Sequence, residues 1–175
     1  METRERLELV YAPAFDDVHE AVRVRLRATL WWRLLRWTAI GACLLSLAVA
    51  GLALLPPTPE PGTAVVMAFL GLVAVAAAEL TPWATARSVF LLVRSQGEAR
   101  AVVDADGGRW TSRDTEMVIR WPMLPRYVET PRLFVLLTAT KSGSTGFAYL
   151  PKHGLAAPAD VDRLREILDR PTTRL

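Results

Sequence analysis

Cysteine is reduced to one residue, Cys43, and histidine to two, His19 and His153. A lone thiol inside an apolar run forms no intramolecular disulfide and offers no partner for a metal, which excludes disulfide scaffolds and cysteine-rich metal sites. Lysine is scarce too: of 21 cationic side chains only Lys141 and Lys152 are lysines. The chain holds no Gly-rich phosphate loop, His-Glu-x-x-His, Cys-x-x-Cys or Gly-x-Ser-x-Gly. Asp114, Glu116 or Glu129 could approach His153 only through the fold, and nothing local specifies it. Asp104 and Asp106 stand at calcium-loop spacing, but Gly107 falls at a variable position and Thr115 replaces the terminal glutamate. That segment reads as a hairpin turn. No catalytic, cofactor-binding or metal-binding residue is assigned, no cofactor is expected, and the net charge of +3 gives no reason to expect nucleic acid.

Charge is missing from the middle of the chain. Residues 38–55 carry none, and as a helix they span about 27 Å, close to the hydrocarbon thickness of a bilayer. A second apolar run, residues 63–80, contains one ionisable residue, Glu79, near its end. Between them, residues 56–62 read PPTPEPG, which cannot continue a helix and predicts a tight turn outside the bilayer. The expected transmembrane hairpin occupies residues 37–86, with spans of about 37–55 and 63–83. A cleaved signal peptide is excluded by the 36 residues that precede the first run and the second run that follows it. Arginines precede the first span (Arg33 and Arg36 nearest), Arg87 follows the second, and the turn has none. The positive-inside rule then predicts a multi-pass protein of the inner (cell) membrane with both termini cytoplasmic. Trp37 opens the first span and Trp83 closes the second, where an indole buries its ring and keeps its N–H wet. Glu79 lies one turn from Trp83, where a carboxylate reaches headgroup water, so a structural role is expected over a functional one.

Soluble composition flanks the hairpin. Residues 1–36 predict a short strand at 7–11, then a helix from Asp16 and Asp17 to Arg36, with the two aspartates as caps. Its arginines and Trp31 and Trp32 suit either a helix lying on anionic lipid or one that simply continues into the first span. Residues 87–175 predict six short strands separated by turn residues, including 104–108 and 141–144, and a terminal helix at 158–170. The strand at 7–11 would be the seventh. The fold class expected is an α+β membrane protein: a two-helix transmembrane hairpin plus a small antiparallel β domain closed by a C-terminal helix.

The segments 119–122, 125–137 and 149–152 carry Trp121, Tyr127, Glu129, Thr130, Phe134 and Pro151 at strand ends and core positions. In this pattern the chain resembles the YcxB-like protein family of bacterial membrane proteins. The resemblance implies a pleckstrin-homology-like domain and transfers neither an activity nor catalytic residues. The function expected is a non-enzymatic binding or scaffold module at the inner leaflet, with the lipid bilayer and a membrane or cytoplasmic protein as partners. An uncharacterised membrane-associated enzyme and a small subunit of a transport complex are the alternatives. A pocket gathering His, Asp and Ser would favour the enzyme, and two spans without a polar stripe enclose no pathway by themselves.

Overall fold

The computed structural model describes residues 6–55, 59–138 and 146–175. They form two compact units, residues 29–84 and a second unit made of residues up to 28 and from 85 onward. The expected turn at 141–144 and the first half of the turn at 56–62 lie outside the described residues.

The first unit is a hairpin of helix α2 (Leu30–Leu52) and the leading part of helix α3 (Pro61–Ser95). Both are long and apolar enough to cross a membrane. Their large side chains point outward: Leu44, Leu45, Phe69 and Leu72 are all more than 60% exposed. The buried positions are small, namely Ala50, Ala64, Gly71 and Ala78. A Cβ on Gly71 would stand 3.2 Å from both Cys43 Cα and Ser46 Cβ, so the two backbones approach closely there. Small residues at such crossings are the usual means of packing helices without a large apolar core. Near one end, Arg36 pairs with Glu79 at 3.1 Å, with both side chains about half exposed.

The second unit begins with strand β1 (Leu7–Tyr11) and helix α1 (Phe15–Arg27). The helix expected to run unbroken from Asp16 to Arg36 is instead interrupted, because Thr29 takes an extended conformation between α1 and α2. Nor do Asp16 and Asp17 cap α1. Ala14 stands at the cap without a side-chain bond, and both aspartates occupy the first turn. Helix α3 continues beyond the second span through Pro82 and ends at Ser95, where the segment Ser95-Gln96-Gly97 is expected to stop it, and Gly97, at φ 77°, turns the chain.

Strands β2 (Ala99–Val103), β3 (Gly107–Thr111) and β4 (Glu116–Arg120) follow β1 in an antiparallel sheet of order β1-β2-β3-β4. Leu7 lies opposite Val103 and Tyr11 opposite Ala99, so the N-terminal strand joins the sheet along its whole length. The turn between β2 and β3 is organised by Asp104 Oδ1, which accepts from the N–H groups of Asp106 (2.9 Å) and Gly107 (3.1 Å). Gly107 is required by proximity, since a Cβ there would lie 2.3 Å from the Ile119 carbonyl oxygen.

A short 3₁₀ turn (Trp121–Met123) leads to the second sheet, of order β7-β6-β5-β8. Strands β5 (Arg126–Glu129), β6 (Leu133–Leu137) and β7 (Phe147–Pro151) are antiparallel. The two-residue β8 (Thr173–Arg174) then runs parallel to β5, a strand too short to show in the sequence pattern. Helix α4 (Ala159–Asp169) delivers Leu164, Ile167 and Leu168 to a core that also holds Leu9, Val18, Val22, Tyr127, Phe134 and Leu136. Trp121 is buried there, its indole N–H donating to the Asp104 carbonyl at 3.1 Å.

Candidate functional site

Helix α1 divides its surface sharply. Val18, Ala21 and Val22 are fully buried against the sheets, while Asp16, His19, Glu20, Arg23 and Arg27 recur at three- to four-residue spacing on another face. That polar face forms one wall of an open groove of about 790 Å³. The other wall is the turn from β5 to β6, residues 128–132, with Leu175 beside it. The turn is fixed locally: Thr130 Oγ1 accepts from the Leu133 N–H at 2.9 Å, and the Thr130 N–H donates to the Leu133 carbonyl at 2.8 Å.

Arg132, at the tip of that turn, clamps α1 by donating to Asp17 Oδ1 at 2.8 Å, with Asp16 at 3.8 Å. Asp17 is wholly buried, and its other oxygen, Oδ2, has no hydrogen-bond partner. His153 Nδ1 stands 3.8 Å from that oxygen. Burial pushes the Asp17 carboxyl above the usual carboxylate range, against the opposing pull of His153 and Arg132. The carboxylate that meets His153 is therefore none of Asp114, Glu116 and Glu129. No local signal pairs residue 17 with residues 132 and 153, so sequence reasoning could not find this contact.

Glu129 forms a second centre. Arg165 on α4 grips its carboxylate with two N–H groups at 2.9 and 2.7 Å, Lys152 donates at 2.8 Å, and Arg174 on β8 lies at 3.1 Å. These hydrogen bonds, those from Arg165 foremost, hold its pKa down to about 2. Asp162 also contacts Arg165. One carboxylate thus ties β5 to the segment after β7, to α4 and to β8. Nearby, the Tyr127 hydroxyl donates to Asp169, and burial together with that bond raises its pKa to about 12.

A smaller cavity of about 240 Å³ lies among β1, β2, β3, β4, β7 and the last turns of α3. It is lined mainly by apolar and aromatic side chains, among them Tyr11, Val89, Met117 and Phe147. Trp110 and Tyr149 line it too, and Trp110 Nε1 and the Tyr149 hydroxyl are buried without hydrogen-bond partners. Burial lifts the Tyr149 hydroxyl to about 12.

The residues singled out from the sequence do not meet at one place. Arg33, Arg36, Trp37 and Trp83 belong to the helical hairpin, and Arg87 to the part of α3 in the second unit. Trp121, Tyr127, Phe134 and Pro151 are buried in the second unit. Only Glu129 and Thr130 border the groove.

These features define an α+β protein in which two long apolar helices interrupt a unit of antiparallel strands with a C-terminal helix. Residues 103–168, from the end of β2 to α4, match the model of the YcxB-like protein family. The match covers every member of the motif from Trp121 to Pro151. No curated protein and no solved structure matches the chain.

Proposed function

We propose that this protein is a bacterial membrane-anchored binding module. On this reading the hairpin crosses the cell membrane, and the α/β unit, a pleckstrin-homology-like domain, docks a polypeptide segment at the inner leaflet. The hairpin's large side chains face outward and its small ones inward, which water would penalise and lipid accommodates. Arg33, Arg36 and Arg87 flank the apolar stretches and the connecting turn has no arginine, which supports cytoplasmic termini, and Trp37 and Trp83 suit the interface at that same end of the hairpin. The pleckstrin-homology-like reading rests on the antiparallel succession of four strands and then three, followed by a helix.

The observation that carries the binding role is the groove beside α1. Arg23 and Arg27 stand exposed on its wall with no ion-pair partner among the described residues, and Glu20 lies between the clamp at Asp17 and Arg23. Of the groove's other charges, Glu129, Arg132 and Asp16 are already engaged in ion pairs within the fold. A wall of both signs suits a polypeptide of mixed charge better than a lone anionic headgroup. The test is a photo-crosslinking amino acid in place of Arg23 in the full-length protein in native membranes. A discrete protein adduct is expected, absent when the same amino acid replaces Arg163 on α4. Adducts to lipid alone, or the same adducts from both positions, would overturn the reading.

A further inference from the structure

Strand β4 ends the first sheet, and among the described residues it pairs only with β3. Antiparallel pairs alternate between residues that exchange backbone hydrogen bonds and residues that do not. The Ser112 N–H donates to the Thr115 carbonyl at 2.8 Å, and the Trp121 N–H reaches the Asp106 carbonyl at 3.5 Å. Counting along the register from either end, Met117 and Ile119 bond inward to Trp110 and Gly108. The N–H and C=O groups of Glu116, Val118 and Arg120 therefore point away from the sheet, along its open edge. Their side chains share the solvent face, where Val118 is 60% exposed. Met117, on the opposite face, is still 42% exposed, because no further strand covers it.

We infer that this edge pairs with the same edge of a second copy of the chain. The sequence of β4, Glu-Met-Val-Ile-Arg, is complementary to itself when reversed. A two-fold axis through Val118 sets Val118 against its counterpart, Glu116 against Arg120 of the second copy, and Met117 against Ile119. The residues that meet as hydrogen-bonded pairs in this register, 116 with 120 and 118 with 118, are those whose backbone groups face outward. Both charges are thereby satisfied, and the exposed Met117 gains an apolar neighbour. Arg120 has no ion-pair partner among the described residues, while Glu116 is held only by Arg109 at 3.0 Å, both side chains more than half exposed. Charge on an edge strand deters pairing with other chains in general, but here the two charges have opposite signs at equal distances from the centre, so in this one register they attract. The two four-stranded sheets would become one, joined by an isologous interface.

Charge reversal separates this register from any other. Arg120→Glu sets carboxylate against carboxylate across the axis, Glu116→Arg sets guanidinium against guanidinium, and the double variant restores both pairs. In the full-length protein in nanodiscs or mild detergent, each single variant should raise the dimer dissociation constant on the order of tenfold to a hundredfold. The double variant should return to the wild-type value. A second measurement reads the register directly. With Cys43→Ala removing the one native thiol, Val118→Cys should cross-link to its counterpart under mild oxidation in native membranes, since hydrogen-bonded antiparallel partners lie about 5.5 Å apart, within disulfide range. Val10→Cys, exposed on β1, should not. A monomeric wild type, single variants that dimerise normally, a double variant that fails to recover, or a Val118→Cys protein that stays uncross-linked would each overturn the inference.

Discussion

At the scale of the residue, Glu129 shows how one side chain can join elements that are remote in sequence. Its folded pKa, about 2, lies below its ordinary value of 4.5. Between those values the unfolded chain binds more protons than the folded one, so stability rises with pH through that window and falls as acid approaches pH 2. The depression corresponds to about 3 kcal/mol, fully present above pH 4.5. Glu129→Ala removes that contribution and leaves Lys152, Arg165 and Arg174 facing one another. Since those cations are partly exposed, a loss of about 2–4 kcal/mol is expected. Thermal unfolding of the α/β unit between pH 2 and 7 checks it: the wild-type midpoint should fall with acid, while the variant's should start lower and depend less on pH below 4.5. The sequence placed Glu129 and Thr130 in a motif without disclosing what the carboxylate does. Its partners lie 23, 36 and 45 residues away (152 − 129, 165 − 129 and 174 − 129). Asp17 is the same case in sharper form, an acid in a first helical turn that looks like a cap and is instead a buried partner of Arg132.

At the scale of the element, what was legible is what has a period or a punctuation mark. The strands alternate, Asp106-Gly107 marks a hairpin and Ser95-Gln96-Gly97 ends a helix, so β1 and α4 lie within a residue of their expected places and the six strands between them are all found. The break at Thr29 has neither glycine nor proline to announce it. Small residues at 64, 71 and 78 in α3 carry a seven-residue spacing that hydropathy conceals, because alanine and glycine count as merely apolar. Strand β1 was inferred from composition and from a sheet one strand short. Its pairing with β2 predicts slow amide exchange at Leu7, Leu9 and Tyr11 in a membrane mimetic, comparable to that of β3. Deleting residues 1–13 should expose the edge of β2, lower the unfolding temperature and promote aggregation, read by light scattering of the detergent-solubilised protein.

At the scale of the whole molecule, the apolar hairpin stands between two parts of one folded unit. Under the proposed membrane insertion, reporters fused at Leu175 and at Glu60 should report opposite sides, cytoplasmic and external. A periplasm-active reporter at Leu175 would sink the orientation. The arrangement also bears on how the protein is made. Strand β1 leaves the ribosome first, and its partner, β2, follows only after some 90 residues that include both apolar helices (Tyr11 to Ala99, 99 − 11 = 88). During that interval β1 has no sheet to join, and α1 has no Arg132 to hold it. The pairing of Leu7 with Val103 can form only if the bilayer has been crossed an even number of times, because an odd crossing leaves the two strands in different compartments. Completion of the sheet would thus be a check on the proposed insertion. Under the proposed insertion, a chain whose second helix failed to enter the lipid could not finish folding, and would keep an open β-edge and an unclamped helix for proteases to recognise.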